Sequence, residues 1–330
     1  MATSVLICDD SSFARKQMAS ALPPDWDVAL SFAGRGAEAL EAIKAGKGDI
    51  LFLDLNMPGL DGYEVLAAIR AQDLPTLAVV VSGDIQPEAR ARVLALGALE
   101  FLKKPIGGAQ ILEILNKYGI YRATPGAGAK KVDIEVDVCD SYQEIANVAM
   151  GRTADLLARL LNVFVVLPVP KVSMLEGGEL RMLLSRALAG DAGLAVGQGF
   201  IGAGVAGEAL LTFNESSFSD IARLMKHEGT ADETKNLELT MDIAGILIGA
   251  CLKGIADQLD IPFSLGHPVM LGRQPGTDDP SRRNAPRWNS VLAIEMGYTI
   301  EGRNIRCQLL LLFTPDSLPV LNERISYLGG

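Results

Sequence analysis

The first 120 residues alternate short apolar runs with longer amphipathic stretches. Stretches such as Gly62–Arg70 and Pro87–Leu96 have the apolar periodicity of helices. The apolar runs have the length of strands, and we predict strands at Ser4–Cys8, Val28–Phe32, Ile50–Asp54, Leu77–Ser82 and Glu100–Leu102. Strands that alternate with helices predict an α/β fold with a doubly wound, five-stranded parallel sheet.

Polar residues follow these strands at the edge where a doubly wound sheet binds its ligands. Asp9 and Asp10 follow the first strand, and Asp54 ends the third. Singly, an Asp after a strand is usually a helix N-cap, but three carboxylates at one edge repel one another unless a hard cation such as Mg²⁺ is present. Ser82 and Lys104, after the fourth and fifth strands, add a hydroxyl and a positive charge. The set predicts phosphoryl transfer with a carboxylate nucleophile.

A change in composition divides the chain near residue 121. Residues 121–131 are rich in Gly, Ala, Pro and Lys without periodicity, which predicts a flexible linker between a domain at 1–120 and another at 132–330. A charged, proline-rich stretch at 272–287 predicts a mobile insertion, because strand-like sequence resumes at Ser290.

The second domain contains an internal repeat at an offset of 98 residues. The segment 144–151, EIANVAMG, aligns without gaps with 242–249, DIAGILIG. Each copy is a long amphipathic helix that leads to a strand pair, so we predict a pseudo-twofold α/β domain with two long helices on a mainly antiparallel sheet. Residues 202–207, GAGVAG, satisfy the dinucleotide-binding pattern G-x-G-x-x-G, but strand-like sequence follows, so a hairpin turn is favoured over a nucleotide site.

Glu144 and Asn147 lie three residues apart on the first long helix and therefore share one face. The apolar residues lie mostly on other faces, so we expect both side chains to point outward. Spacing alone favours an ordinary solvated face, although Asn is a poor helix former.

The net charge of −10 disfavours nucleic-acid partners, because an acidic surface repels phosphates. The four cysteines are far apart and form no Cys-x-x-Cys pair, which disfavours a structural zinc site and fits a reducing compartment. No apolar run has the length of a membrane span, so we expect no membrane insertion and a cytoplasmic location.

The segments LICDDSS, LFLDLNMPGLDG, VVVSGD and FLKKP closely resemble, in order and spacing, the CheY-like receiver domains of two-component response regulators. The resemblance implies a flavodoxin-like fold in which a histidine kinase phosphorylates Asp54. It implies that Ser82 and Lys104 contact the phosphoryl oxygens and that Phe101 is the switch aromatic, although core packing also explains Phe101. The Mg²⁺ ligands that it implies are Asp9, Asp10, Asp54 and the backbone carbonyl of Asn56.

From about residue 132 to the end, the chain resembles the CheC/CheX/FliY phosphatases, which hydrolyse the phosphoaspartate of chemotaxis receivers. The resemblance rests on DSYQEIANVAMGRTADLLARLL followed by PVPKV. It implies a catalytic centre in which the Asn147 amide orients water in line with the phosphorus, while Glu144 pairs with the lysine of the target receiver. Asp242 and Gly245 occupy these positions in the second copy, and without the amide we expect that centre to be inactive.

Together these features predict a response regulator whose output domain removes the phosphate from a separate CheY-like receiver, in chemotaxis or related signalling. Two alternatives stay open. The domain could act on its own Asp54, within one chain or across a homodimer, or it could be a non-catalytic interaction module controlled by phosphorylation. A DNA-binding output is disfavoured, since no helix-turn-helix pattern or basic stripe follows the linker.

Overall fold

A computed structural model of the protein describes residues 2–124, 134–189, 192–214, 220, 224, 233–271 and 290–328. The chain divides into two compact units, of which the first ends at Glu144 and the second begins at Ile145. The predicted insertion at 272–287 and most of the predicted linker, from residue 125 on, lie outside the described residues.

The first unit is built on a five-stranded parallel sheet in the order β2-β1-β3-β4-β5. Its strands are β1 (Thr3–Cys8), β2 (Val28–Ala33), β3 (Ile50–Leu53), β4 (Leu77–Ser82) and β5 (Glu100–Lys103). Its helices are α1 (Ser12–Ser20), α2 (Gly36–Lys44), α3 (Gly62–Ala71), α4 (Pro87–Ala95) and α5 (Gly108–Lys117). The predicted doubly wound fold is confirmed, and the strand order reverses between β1 and β3, where such sheets bind their ligands.

Both faces of this sheet carry buried apolar clusters, which explains why its central strands β3 and β4 are almost entirely apolar. Along β1, Val5 and Ile7 belong to one buried cluster, whereas Leu6 and Cys8 belong to the cluster on the opposite face. The first polar residue after β1 is Asp9, so the chain becomes polar only where the strand reaches the carboxyl edge of the sheet.

The beginning of the predicted linker is ordered against the first unit. The backbone N–H of Thr124 donates a hydrogen bond to the Asp25 carbonyl at 2.8 Å. The Tyr121 hydroxyl donates to Asp25 Oδ2 at 2.7 Å. Both acceptors belong to Asp25 of the first unit. Residues 121–124 are therefore part of that unit.

The second unit contains an eight-stranded antiparallel sheet in the order β10-β8-β9-β13-β12-β6, with β11 paired to β8 and β7 to β12. Its strands are β6 (Val165–Val166), β7 (Lys171–Glu176), β8 (Ala192–Gly202), β9 (Val205–Asn214), β10 (Ser264–Leu265), β11 (Val269–Leu271), β12 (Ser290–Ile300) and β13 (Arg306–Phe313). Its helices are α6 (Val138–Leu161), whose first residues belong to the first unit, α7 (Gly177–Ala189), α8 (Glu233–Leu259) and α9 (Leu318–Leu328). Within the described parts of the chain, no helix is both long and apolar enough to cross a bilayer.

The internal repeat is visible in this sheet. The 98-residue offset carries β8, at 192–202, onto 290–300, which are the bounds of β12. The hairpins β8–β9 and β12–β13 meet through the pair β9–β13, and the short strands of each half pair with the hairpin of the other half. The predicted pseudo-twofold domain is therefore confirmed.

The glycine-rich segment at 202–207 is a hairpin turn, as predicted. The strand β8 ends at Gly202 and β9 begins at Val205, so no helix starts inside the motif. Ala203 and Gly204 have φ angles of 46° and 84°, the left-handed conformation that tight two-residue hairpins use.

The two repeat helices, α6 and α8, approach each other closely at a small residue. A Cβ atom added at Gly254 would lie 2.9 Å from Ala149 Cα and 3.0 Å from Ala149 Cβ. Beside this contact, Gln258 Nε2 donates a hydrogen bond to the Ile145 carbonyl at 3.0 Å. The absence of a side chain at Gly254 therefore sets the distance between the helices.

Gly254→Ala and Gly245→Ala should have opposite effects on stability, although both replace a glycine inside α8. An added methyl at Gly254 overpacks the contact with Ala149, so we expect the free energy of unfolding to fall by about 1–2 kcal/mol. At Gly245 nothing lies within 4 Å of the added Cβ. The higher helix propensity of Ala should therefore raise the free energy of unfolding by up to about 1 kcal/mol. Denaturant unfolding of the two full-length variants measures both signs, and equal shifts would contradict the packing described for α6 and α8.

Candidate phosphoacceptor site

Asp54 follows β3 and is 1% exposed. Its backbone N–H donates to the Cys8 carbonyl at 2.9 Å, and its Oδ2 accepts from the Asn56 N–H at 2.7 Å. The helix α3 begins close by at Gly62, where an added Cβ would lie 2.4 Å from the Asp54 carbonyl oxygen. A glycine is therefore required for α3 to begin here, and our sequence analysis did not identify this role.

Lys104 is the centre of the site. Its Nζ lies 2.7 Å from Asp9 Oδ2, 2.9 Å from Asp54 Oδ1 and 3.1 Å from Glu144 Oε1, all within the first unit. The backbone N–H of Lys104 donates to the Ser82 carbonyl at 2.9 Å, which continues the pairing of β4 with β5 to this residue. The lysine, Asp9, Asp54 and Glu144 are all buried, so each charge depends on the others for solvation.

The loop after β1 supplies further contacts around the site. Asp9 Oδ1 accepts from the Ser11 N–H at 2.9 Å, and Ser11 caps α1 by accepting from Ala14 N. Arg15 Nη1 donates to the carbonyl oxygen of Asp9 at 2.6 Å and to that of Asp10 at 3.3 Å. The positions of both acidic residues are therefore determined by the beginning of α1.

The site contains more carboxylates than Lys104 can neutralise. Burial, together with repulsion by Asp54 and Glu144, raises the pKa of Asp9 well above its usual value, although Lys104 opposes the shift. Burial and repulsion by Asp54 raise the pKa of Asp10 to about 7. Burial also raises the pKa of Glu144. For Lys104, burial disfavours the charge, but Asp54, Asp9 and Glu144 outweigh it and hold the pKa well above the usual value.

The donor atoms of the site fit Mg²⁺ in type and in charge. Asp54 Oδ1 is a buried oxygen that accepts no hydrogen bond of normal geometry, its contact with Lys104 being an ion pair. A divalent cation would stabilise the ionised forms of Asp9 and Asp10, whose pKa values are raised without it. Across the described parts of the chain, no three His, Cys, Asp or Glu side chains are already arranged around a common point, so binding would need the carboxylates to turn.

The remaining predicted receiver residues lie at the same edge or in the core beside it. Ser82 ends β4, is fully buried, and accepts a hydrogen bond from the Asp84 N–H at 3.1 Å. Asn56 follows Asp54 by two residues and contacts its carboxylate through the backbone N–H. Phe101 is buried within one of the two apolar clusters of the sheet, as the core-packing interpretation expects.

The prediction that Glu144 and Asn147 point outward is wrong. Glu144 is 6% exposed and Asn147 is 5% exposed. Helical periodicity identifies a polar stripe, but it does not tell whether another segment covers that stripe. For Glu144 the cover includes Lys104, with which it forms an ion pair. In the second copy, Asp242 is exposed and Gly245 is partly exposed.

Two further residues of α6 reach the site, and our sequence analysis missed both. Asp140 Oδ2 accepts hydrogen bonds from the Ser12 hydroxyl and from the Phe13 N–H, the latter at 3.0 Å. Gln143 Nε2 donates to Asp10 Oδ2 at 3.4 Å. A signal was available, because the polar positions 140, 143, 144 and 147 follow the i, i+3, i+4, i+7 spacing of one helical face.

Residues 5–116 match the family model of the response regulator receiver domain. A protein-glutamate methylesterase/protein-glutamine glutaminase of Symbiobacterium thermophilum is 39% identical over 110 residues, which are 32% of this chain and 30% of that protein. A probable transcriptional regulatory protein NarL of Mycobacterium tuberculosis is 36% identical over 110 residues, 33% of this chain and 51% of that protein. The matches thus span 30% and 51% of the length of these two relatives.

Among solved structures, Thermotoga maritima FliY covers 57% of this chain and 96% of its own, with 21% identity and a TM-score of 0.43. A chain of the CheX-CheY-BeF3-Mg complex of Borrelia burgdorferi covers 36% of this chain and 89% of its own, with 27% identity and a TM-score of 0.32. Both TM-scores are below 0.5, and we base no conclusion on them. The family model, the parallel sheet and the position of Asp54 together identify residues 5–116 as a response-regulator receiver domain.

Proposed function

We propose that the protein is a response regulator that is phosphorylated on Asp54, and that the centre at Glu144 and Asn147 hydrolyses the aspartyl phosphate of a CheY-like receiver. The observation that supports this best is the 3.1 Å ion pair between Glu144 and Lys104. A carboxylate of α6 already engages a receiver lysine, which is the pairing that a docked phosphatase of this kind needs.

The first step is transfer of a phosphoryl group from a histidine of a kinase. A carboxylate oxygen of Asp54 attacks the phosphorus, the phosphorus–nitrogen bond breaks, and an acyl phosphate forms. Lys104, which already lies 2.9 Å from Asp54 Oδ1, and Ser82 at the end of β4 would contact the phosphoryl oxygens. Mg²⁺, held by Asp9, Asp10, Asp54 and the Asn56 carbonyl, would neutralise charge on the phosphoryl group.

The second step is hydrolysis. A water molecule attacks the phosphorus on the receiver, the bond to the aspartyl oxygen breaks, and the products are the aspartate carboxylate and inorganic phosphate. The Asn147 amide orients the water, while Glu144 holds the helix against the lysine beside the phosphate. The aspartate is a good leaving group, so no general base is needed. The second copy, with Asp242 and Gly245, lacks the amide and takes no part.

Asp54→Asn should abolish phosphorylation, because an amide oxygen is a far weaker nucleophile than a carboxylate. The measurement is incorporation of phosphate from a small phosphodonor such as acetyl phosphate. Asp61→Asn is the control, since Asn still caps α3, and it should incorporate phosphate normally. Full incorporation into the Asp54→Asn protein would mean that another residue is the phosphoacceptor.

Asn147→Ala and Glu144→Gln should each slow the release of phosphate from a phosphorylated receiver by about 10- to 100-fold, the usual cost of losing one oriented polar group in an active site. Asp242→Ala, at the repeat-related exposed position, should leave the rate unchanged. Unchanged release in both Asn147→Ala and Glu144→Gln would favour a non-catalytic interaction module.

Asp10→Asn should have opposite effects on the melting temperature without and with Mg²⁺. Without the ion, the variant removes a carboxylate that burial and Asp54 destabilise, so the melting temperature should rise. With the ion, the wild-type protein gains stability by binding it, and the variant should gain less. A Mg²⁺-dependent increase of the same size in both proteins would contradict the assignment of Asp10 as a ligand.

A further inference from the structure

The side chain of Glu144 is already paired with a lysine of its own chain. Glu144 Oε1 lies 3.1 Å from Lys104 Nζ, and the side chains are 7% and 6% exposed. To serve the lysine of another receiver, Glu144 would first have to leave Lys104, and the buried Glu144 carboxylate would lose its partner while Lys104 kept only Asp9 and Asp54. Glu144 is thus paired with the receiver lysine of its own chain, and pairing with the lysine of a separate receiver would require this ion pair to break first.

Two additional contacts hold the same part of α6 in place. Asp140 accepts hydrogen bonds from Ser12 and from the Phe13 N–H at the first turn of α1, where a carboxylate also interacts favourably with the helix dipole. Gln143 donates to Asp10. Positions 140, 143 and 144 lie on one face of α6, so three neighbouring contacts hold the beginning of this helix within the first unit.

Asn147 follows Glu144 by three residues on that same helical face. A reacting group that is held by its own chain needs no encounter with a second molecule, so its effective concentration does not depend on the protein concentration.

We propose that the substrate of the Glu144 and Asn147 centre is the phosphate on Asp54 of the same chain, with Asp140 as the positioning residue that makes the reaction intramolecular. This inference rests on the proposed phosphatase function. The lifetime of the phosphorylated receiver would then be determined by a helix of the same polypeptide.

The first experiment mixes two variants, each of which lacks one half of the reaction. The Glu144→Gln/Asn147→Ala double variant accepts phosphate on Asp54 but lacks the hydrolytic centre. The Asp54→Asn variant keeps the centre but accepts no phosphate. The double variant is phosphorylated with acetyl phosphate, and the donor is removed. The loss of phosphate is then followed with and without an excess of the Asp54→Asn protein. Phosphorylated wild-type protein is measured in parallel for comparison.

We expect wild type to lose phosphate at least about tenfold faster than the double variant, and the excess of Asp54→Asn protein to leave the double variant as slow as before. Acceleration by the Asp54→Asn protein would overturn the inference, since the centre would then act between chains. Equally slow decay of wild type, double variant and mixture would also overturn the inference, and the proposed function fails with it only if the wild-type protein also leaves a separate phosphorylated CheY-like receiver unhydrolysed. The two failures are therefore distinguishable.

The second experiment tests Asp140 as a positioning residue. Asp140→Ala should slow the loss of phosphate about 5- to 20-fold, whereas Asp140→Asn, which keeps an acceptor oxygen for Ser12 and Phe13, should restore most of the rate. Ser12→Ala should also slow the reaction, but not further when combined with Asp140→Ala, because the two changes remove the same contact. Glu135→Ala, at an exposed carboxylate just before α6, is the matched control and should have no effect.

A merely structural role for Asp140 predicts a different result. It would lower the melting temperature in Asp140→Ala and Asp140→Asn alike, and the effects of Ser12→Ala and Asp140→Ala on the rate would add. Additive effects, or an Asp140→Ala protein that loses phosphate as fast as wild type, would overturn the assignment.

Discussion

A single buried ammonium group organises the site. Lys104 has three N–H donors, and three carboxylates lie within 3.1 Å of its Nζ: Asp9, Asp54 and Glu144. Removing one partner from a buried ion pair typically costs about 3–5 kcal/mol, because the other charge stays buried without compensation. The cluster therefore holds together only as a set. Through Glu144 it also determines where the first turns of α6 lie.

The electrostatics of the same cluster support the proposed transfer of a phosphoryl group to Asp54. Its carboxylates outnumber the nearby cations, and repulsion among them raises the pKa values of Asp9, Asp10 and Glu144. A divalent cation relieves that repulsion, and a phosphoryl group on Asp54 offers Lys104 a new set of acceptor oxygens. In the proposed function, the repulsion in the resting site would favour binding of both groups, and perturbed pKa values of this kind are common at functional sites.

The receiver fold and its acidic residues could be predicted from the sequence, since short apolar strands end at polar residues and a parallel sheet gathers those ends at one edge. The 98-residue repeat likewise predicted the pseudo-twofold sheet. The strands β8 and β12 are separated by this same offset of 98 residues. The burial of Glu144 could not be predicted in this way. Periodicity locates a polar face on α6, but only the three-dimensional structure reveals that Lys104, distant in sequence, covers it. Asp140 and Gln143 belong to the same polar face and could have been found from their spacing, but their partners Ser12, Phe13 and Asp10 could not.

The central claim is that the phosphate on Asp54 is removed within one chain, and its most direct test is the effect of dilution. Phosphorylated wild-type protein, freed of donor, is diluted over a hundredfold range of concentration, and the half-life of the Asp54 phosphate is measured at each dilution. An intramolecular reaction predicts one half-life throughout, shorter than that of the Glu144→Gln/Asn147→Ala protein. A half-life that lengthens on dilution toward that of the double variant would contradict the account.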